Sequence, residues 1–250
     1  MLESFFIDTR PVQAVAGSYQ IFLVILSYLV ASFASYAALT LSHQMVNAAT
    51  NTIQRRVTHW GGAFAMGSGI WAMHFLGMLA YQMDMFVDYD WGLTFLSLII
   101  AVAISYVVLW LVSLPRLPII RLLIAAILLG FGICAMHYTG MAAMKMDATL
   151  RYVKDLFVLS VVIAITASGA AIWIAFTLSR HSGQYQAQLR GVAALIMGAA
   201  ICGMHFTGMA AAVFVPFADC RLGVNQGLDF MVIAVAFMAT ILLGLFTFTV

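Results

Sequence analysis

The chain has 250 residues, of which 64% are hydrophobic and only 8% charged, and a formal net charge of +2. An ordinary soluble domain carries roughly 25% charged residues, so a water-covered globule is excluded, and the near-neutral balance gives no footing for nucleic acid or an acidic partner. Continuous apolar runs of about 20 residues point to membrane-spanning helices rather than a barrel.

Taken from the N-terminus, residues 1–18 lack a basic leader, and the first apolar run is long enough to stay in the membrane as an anchor. Apolar runs at 19–41, 60–81, 92–114, 118–143, 156–178, 190–214 and 228–250 predict seven spans. Turn and charge signals separate them, at Asn47 to Arg56, Pro115-Arg116, Arg180 to Gly183 and Asp219 to Asp229. No linker is long enough to divide the chain. The expectation is an all-α polytopic bundle of seven transmembrane helices forming one domain over residues 1–250.

Span two holds Trp71-Ala72-Met73-His74-Phe75-Leu76-Gly77-Met78. Span four repeats the pattern as Cys134-Ala135-Met136-His137-Tyr138-Thr139-Gly140-Met141, and span six as Cys202-Gly203-Met204-His205-Phe206-Thr207-Gly208-Met209. The histidines are 63 and 68 residues apart, matching a two-helix internal repeat. Alternate spans run in the same direction, so all three motifs fall at one depth on one side of the membrane, and parallel repeats place equivalent residues around a common axis. The motif helices are also rich in glycine, at Gly67 and Gly77, Gly130 and Gly140, Gly198 and Gly208 among others. Small residues let membrane helices approach closely.

Histidine inside an apolar span is costly without a partner. At about 100° per residue, the position three before each His and the Met four after it share its side of the helix. One stripe therefore carries Cys134, His137 and Met141, another Cys202, His205 and Met209, and the first Trp71, His74 and Met78. Imidazole and thioether together suit Cu(I). A site without carboxylates is neutral and holds a monovalent ion at lower cost than a divalent one. Zinc is an alternative for three histidines, and haem an alternative for two. Met73, Met136 and Met204 point away and read as gap-fillers. Met66 and Met197, eight residues before a motif His, lie about 12 Å down the axis. Asp84 and Asp147 each follow a motif His by ten residues and read as surface carboxylates. His43, His59 and His181 read as interface residues, Trp60, Trp91, Tyr81 and Tyr89 as an aromatic belt, and Cys220 as a loop thiol.

Orientation follows Lys and Arg near the span ends. Arg55, Arg56, Arg116, Arg121, Arg180 and Arg190 lie on one side, and Arg10, Lys145, Arg151, Lys154 and Arg221 on the other. The first side is read as cytoplasmic, which puts the N-terminus out, the C-terminus in and the motifs near the outer face.

The threefold Met-His-aromatic-x-Gly-Met pattern, with the literal Met136-His137-Tyr138-Thr139, resembles the MHYT family of bacterial membrane sensor domains. That resemblance covers essentially the whole chain. It implies a copper site near the outer membrane face made by His74, His137, His205, Met78, Met141, Met209, Cys134 and Cys202, and a diatomic gas (O2, CO or NO) as the sensed ligand. It also implies a multi-pass protein of the bacterial inner membrane whose cytoplasmic partners are cyclic-di-GMP synthase or phosphodiesterase modules, with this chain the N-terminal part of a longer signalling protein. Trp71 stands where the other two copies have Cys, so cysteine is not an equivalent ligand in all three. The competing reading is a membrane metalloenzyme, an oxidase or hydrolase using copper or zinc, with a copper carrier as a third option. No acid lies within a turn of any motif His, which counts against hydrolysis.

Overall fold

The computed structural model describes residues 5–8, 11–47, 52–180 and 183–217, together with Ala234, Val235, Met238 and Ile241. Six long helices make up the described bundle: α1 (Ile21–Asn47), α2 (Thr52–Ala80), α3 (Trp91–Val112), α4 (Ile119–Ala142), α5 (Lys154–Arg180) and α6 (Gln186–Ala211). Each is long and apolar enough to cross a membrane. They coincide with the first six expected spans to within four residues, except that α1 runs on to Asn47 rather than 41 and α2 begins at Thr52, not 60. Its exposed first turns carry Gln54, Arg55 and Arg56, residues that favour helix outside a bilayer as well as in it. The seventh expected span, 228–250, lies outside the described residues apart from Ala234, Val235, Met238 and Ile241, which are helical.

Each helix packs on its neighbours in sequence, and α6 returns to α1, so the bundle closes into a ring. Its most deeply set member is α2, 83% buried over its most apolar stretch. The ring is built from three equivalent pairs. A Cβ added at Gly67 of α2 would collide with the α3 backbone at Val102. One at Gly130 of α4 would meet Ile165 of α5, and one at Gly198 of α6 would meet Ser32 of α1. Each of these glycines stands seven residues before a motif His. Each is therefore required by a close helix crossing, as small residues are in membranes generally.

The odd-numbered helices carry the matching half of this device. Ser27, Ala31 and Ser35 on α1 recur as Ser97, Ala101 and Ser105 on α3 and as Ser160, Ala164 and Ser168 on α5. All nine are buried. Ser27, Ser97 and Ser160 donate in the same way to the carbonyl three residues back, each at 2.7 Å.

The connections at the motif end are not plain loops. They form short strands, β1 (Phe6–Ile7), β2 (Ser18–Tyr19), β3 (Tyr81–Gln82), β4 (Val87–Tyr89), β5 (Met144–Met146), β6 (Ala148–Val153) and β7 (Ala212–Pro216). These pair as β1-β6-β7, β2-β3 and β4-β5. Backbone groups that leave a helix need partners, and pairing the segments after α2, α4 and α6 with one another supplies them over the ends of the three motif helices. Asp90 caps α3 by accepting from Leu93 N–H at 3.1 Å and also binds Lys145 at 2.8 Å. Tyr89, expected at the membrane interface, is instead buried inside this cap beside Phe75. Burial raises its phenol above the usual range. Trp60 and Trp91 are exposed at the helix ends, as a belt requires.

Candidate metal centre

His74, His137 and His205 converge at the centre of the bundle, all fully buried. Their Nδ1 atoms form a triangle with edges of 3.0 Å (His137 to His74), 3.1 Å (His74 to His205) and 3.3 Å (His205 to His137). The three rings stand nearly perpendicular to one another, at 76°, 85° and 83°. They form a three-bladed propeller about the axis that relates the repeats.

The glycine three residues after each histidine explains how the rings fit. A Cβ at Gly140 would occupy the space of the His74 imidazole, one at Gly208 that of His137, and one at Gly77 that of His205. Each motif thus seats the histidine of another motif, and the three exchanges run in one rotational sense. From the sequence alone these glycines read as packing positions between helices. Their recurrence at the same offset in all three copies was the signal for this more specific role.

Protons alone do not satisfy the triangle. A neutral imidazole nitrogen either carries N–H or offers a lone pair, and a hydrogen bond needs one of each. Around three mutually close atoms, two must be alike, so at least one edge joins two donors or two acceptors. Buried unpaired polar atoms cost roughly 1–3 kcal/mol. A cation at the centre lets all three nitrogens present lone pairs at once. A tetrahedral ion with metal–nitrogen bonds of about 2.0–2.1 Å separates its nitrogens by about 3.3 Å, close to the edges observed. Haem does not fit, because axial ligation puts two nitrogens on opposite sides of a macrocycle and these lie side by side.

Among the described residues this is the group of His, Cys and carboxylate side chains placed to hold a metal, and it contains the three histidines alone. Cys134 and Cys202 are buried one turn earlier on the same helices but are not members of it. In two of the motifs the position three before the His meets an odd-numbered helix: Trp71 Nε1 donates to Ser97 Oγ at 3.1 Å, and Cys202 lies within hydrogen-bonding reach of Ser27. Tyr138 donates to Ser160 Oγ at 2.6 Å. Each of the three equivalent serines therefore receives a side chain from a motif helix. The motifs alone do not announce these partners, although the serine spacing repeats three times. Met78, Met141 and Met209 are buried in the core on the motif helices, and Met73, Met136 and Met204 are buried as expected of gap-fillers. Asp84 is exposed in the cap. His43 and His59 sit at the far end, donating to the carbonyls of Ser179 and Tyr106. His181 and Cys220 lie outside the described residues.

A bundle of helices apolar enough to cross a membrane, folded on a buried histidine triad with the same motif on alternate helices, defines a membrane-embedded domain with internal repeats. The family model for MHYT, the bacterial signalling protein N-terminal repeat, matches residues 67–125 and 130–187. Both matches open on the glycine that lets a motif helix touch its neighbour. The chain belongs to the MHYT family. Its third repeat, around His205, lies beyond the matched residues yet completes the same triangle. The chain is similar to the bifunctional diguanylate cyclase/cyclic di-GMP phosphodiesterase MucR of Pseudomonas aeruginosa, 49% identical over 85% of this chain and 30% of that protein. It is also similar to the cyclic di-GMP phosphodiesterase NbdA of the same organism, 44% identical over 85% of this chain and 27% of that protein. Signaling protein YkoW of Bacillus subtilis is 38% identical over 79% of this chain and 24% of its own length. The chain thus spans less than a third of the length of these relatives. No solved structure matches it.

Proposed function

We propose that residues 1–250 are a single sensory domain of the bacterial inner membrane that holds copper through His74, His137 and His205 and reports a diatomic gas (O2, CO or NO) or a redox change. The observation that carries this reading is the Nδ1 triangle, which hydrogen bonding cannot satisfy and a cation can. Copper is preferred over zinc because the group has no carboxylate and a monovalent ion is the least costly charge to bury. Met78, Met141 and Met209, one turn on along the same side of each motif helix, supply the soft donors and rank after the histidines, with Cys134 and Cys202 last. A bound copper would supply a one-electron couple and a coordination position for a gas. The chain's own residues do the rest: the glycine seats fix each imidazole, and the strand cap and packed rings exclude bulk water.

The arginine distribution supports motifs near the outer face, with the N-terminus out and the C-terminus in. The relatives' names support cyclic-di-GMP synthase or phosphodiesterase modules as the downstream partners. Because each imidazole rests on a different helix, a change in the triad's geometry moves α2, α4 and α6 against one another. Signalling requires two arrangements with different affinity for the ligand. Nitric oxide, CO and O2 added in turn to the copper-loaded domain test the reading. A change in the copper electron paramagnetic resonance or charge-transfer spectrum with one of them, absent in His137→Ala, is expected. No response to any gas would remove the sensing role, and zinc in the purified protein would favour a metalloenzyme.

A further inference from the structure

Below the histidines, on the side away from the cap, the bundle contains two adjoining cavities of about 40 Å³ and 30 Å³. They share Met66, Leu129, Ala171 and Met197 in their walls. Met66, Leu129 and Met197 are three-fold equivalents, each eight residues before a motif His, or about 12 Å along the axis. The nearer cavity reaches Met204, the residue before His205. The walls are apolar apart from Ser42 and Ser105 in the first cavity and Ser168 in the second. The hydroxyls of all three serines are buried and have no hydrogen-bond partner among the described residues.

This combination selects its occupant. A water needs about 10–15 Å³ and two to four polar partners, so either cavity has the volume, but the one beside Met204 offers a single hydroxyl. Water there would leave most of its hydrogen bonds unmade. A lipid chain or an aromatic molecule is too large. A small uncharged molecule of two heavy atoms fits both walls and hydroxyls, since it loses little on leaving water and accepts at most one weak hydrogen bond from serine.

We propose that this chamber is a second ligand site, a holding site for a neutral diatomic molecule beneath the histidine triad; the identity of that molecule rests on the gas-sensing reading. Xenon pressurised into crystals of the purified domain probes the chamber without involving a metal. Xenon density among Met66, Leu129 and Met197, abolished in Ala171→Leu, is the expected result. Ala171→Val serves if the leucine variant does not fold. Ordered water bonded to Ser105 or Ser168 in place of xenon, or no density, would overturn the proposal. In the copper-loaded protein, Ala171→Leu should slow CO association about tenfold, a barrier increase of about 1.4 kcal/mol, with copper content unchanged. An unchanged rate with the chamber filled would overturn its role as a holding site. Xenon bound in a protein whose copper takes up no gas would leave the site standing and sink the sensing reading alone.

Discussion

At the residue scale, the informative unit is a histidine with the glycine that receives it. Gly140 belongs to one motif but makes room for His74 of another, so the smallest side chain in the pattern governs the geometry of the most polar one. Gly140→Ala should displace His74 and lower metal content as strongly as His74→Ala does. Gly191→Ala is the control, since an added Cβ there meets nothing. Metal analysis of the two variants side by side checks this, and equal metal in both would refute the seat. Overpacking at Gly140 should also cost about 1–3 kcal/mol of stability. Tyr138→Phe removes the hydrogen bond to Ser160 and leaves a buried serine with one partner fewer. A loss of about 1 kcal/mol in denaturant unfolding, with metal retained, is the expected outcome. The histidines and the glycine offset were legible because three copies of one phrase can be compared by eye. Their triangular contact was legible only as convergence. Which nitrogen faces the centre depends on ring rotation and on neighbours from other repeats.

At the element scale, the three helix pairs are held by glycine on one member and a Ser-x3-Ala-x3-Ser stripe on the other. Ala164→Leu inserts bulk where α4 and α5 cross and should destabilise by about 1–3 kcal/mol, read as a lower melting temperature. An exposed Val158→Leu on the same helix should change little. The cap has its own sensitivity. Lys145 and the α3 N-terminus hold the Asp90 carboxyl below the ordinary carboxylate range, so the folded state binds that proton more weakly than the unfolded chain. Its contribution is present above the unfolded value of about 3.9 and disappears as pH falls through the depressed folded value. Thermal melts taken downward from neutral pH should show the cap loosening in that acid range, and Asp90→Asn should flatten the response. An identical pH profile in the variant would show that the pair contributes nothing. Span positions were readable from hydropathy alone. The strands were not, because two- and three-residue ladders leave no periodic trace and arise from pairing between segments far apart in sequence. Tyr89 was misplaced for the same reason: an interfacial tyrosine and a capped one have the same neighbours in sequence.

At the scale of the whole molecule, six described helices form three equivalent pairs around one axis, with α1 completing the pair begun by α6. The described ring therefore closes where α6 packs on α1, and a perturbation at the axis reaches every pair. Cysteine accessibility labelling at positions 116 and 145 tests the proposed orientation, with position 116 reacting from the cytoplasm and 145 from outside. The reverse pattern would put the histidine triad near the inner face. The overall repeat was visible from the spacing of the motifs, and the odd-numbered serine stripe was equally available to a comparison of the odd spans. What no spacing conveys is the rotational sense in which each ring rests on another repeat, since that depends on how the pairs are twisted about the axis.

The proposed role of the histidine triangle is to hold a metal ion. Plasma mass spectrometry of the purified domain, beside His74→Ala, His137→Ala and His205→Ala, addresses it most directly. Stoichiometric copper in the unaltered domain and comparable depletion in all three variants is the predicted result. A metal-free domain, or a metal retained in every variant, would contradict it.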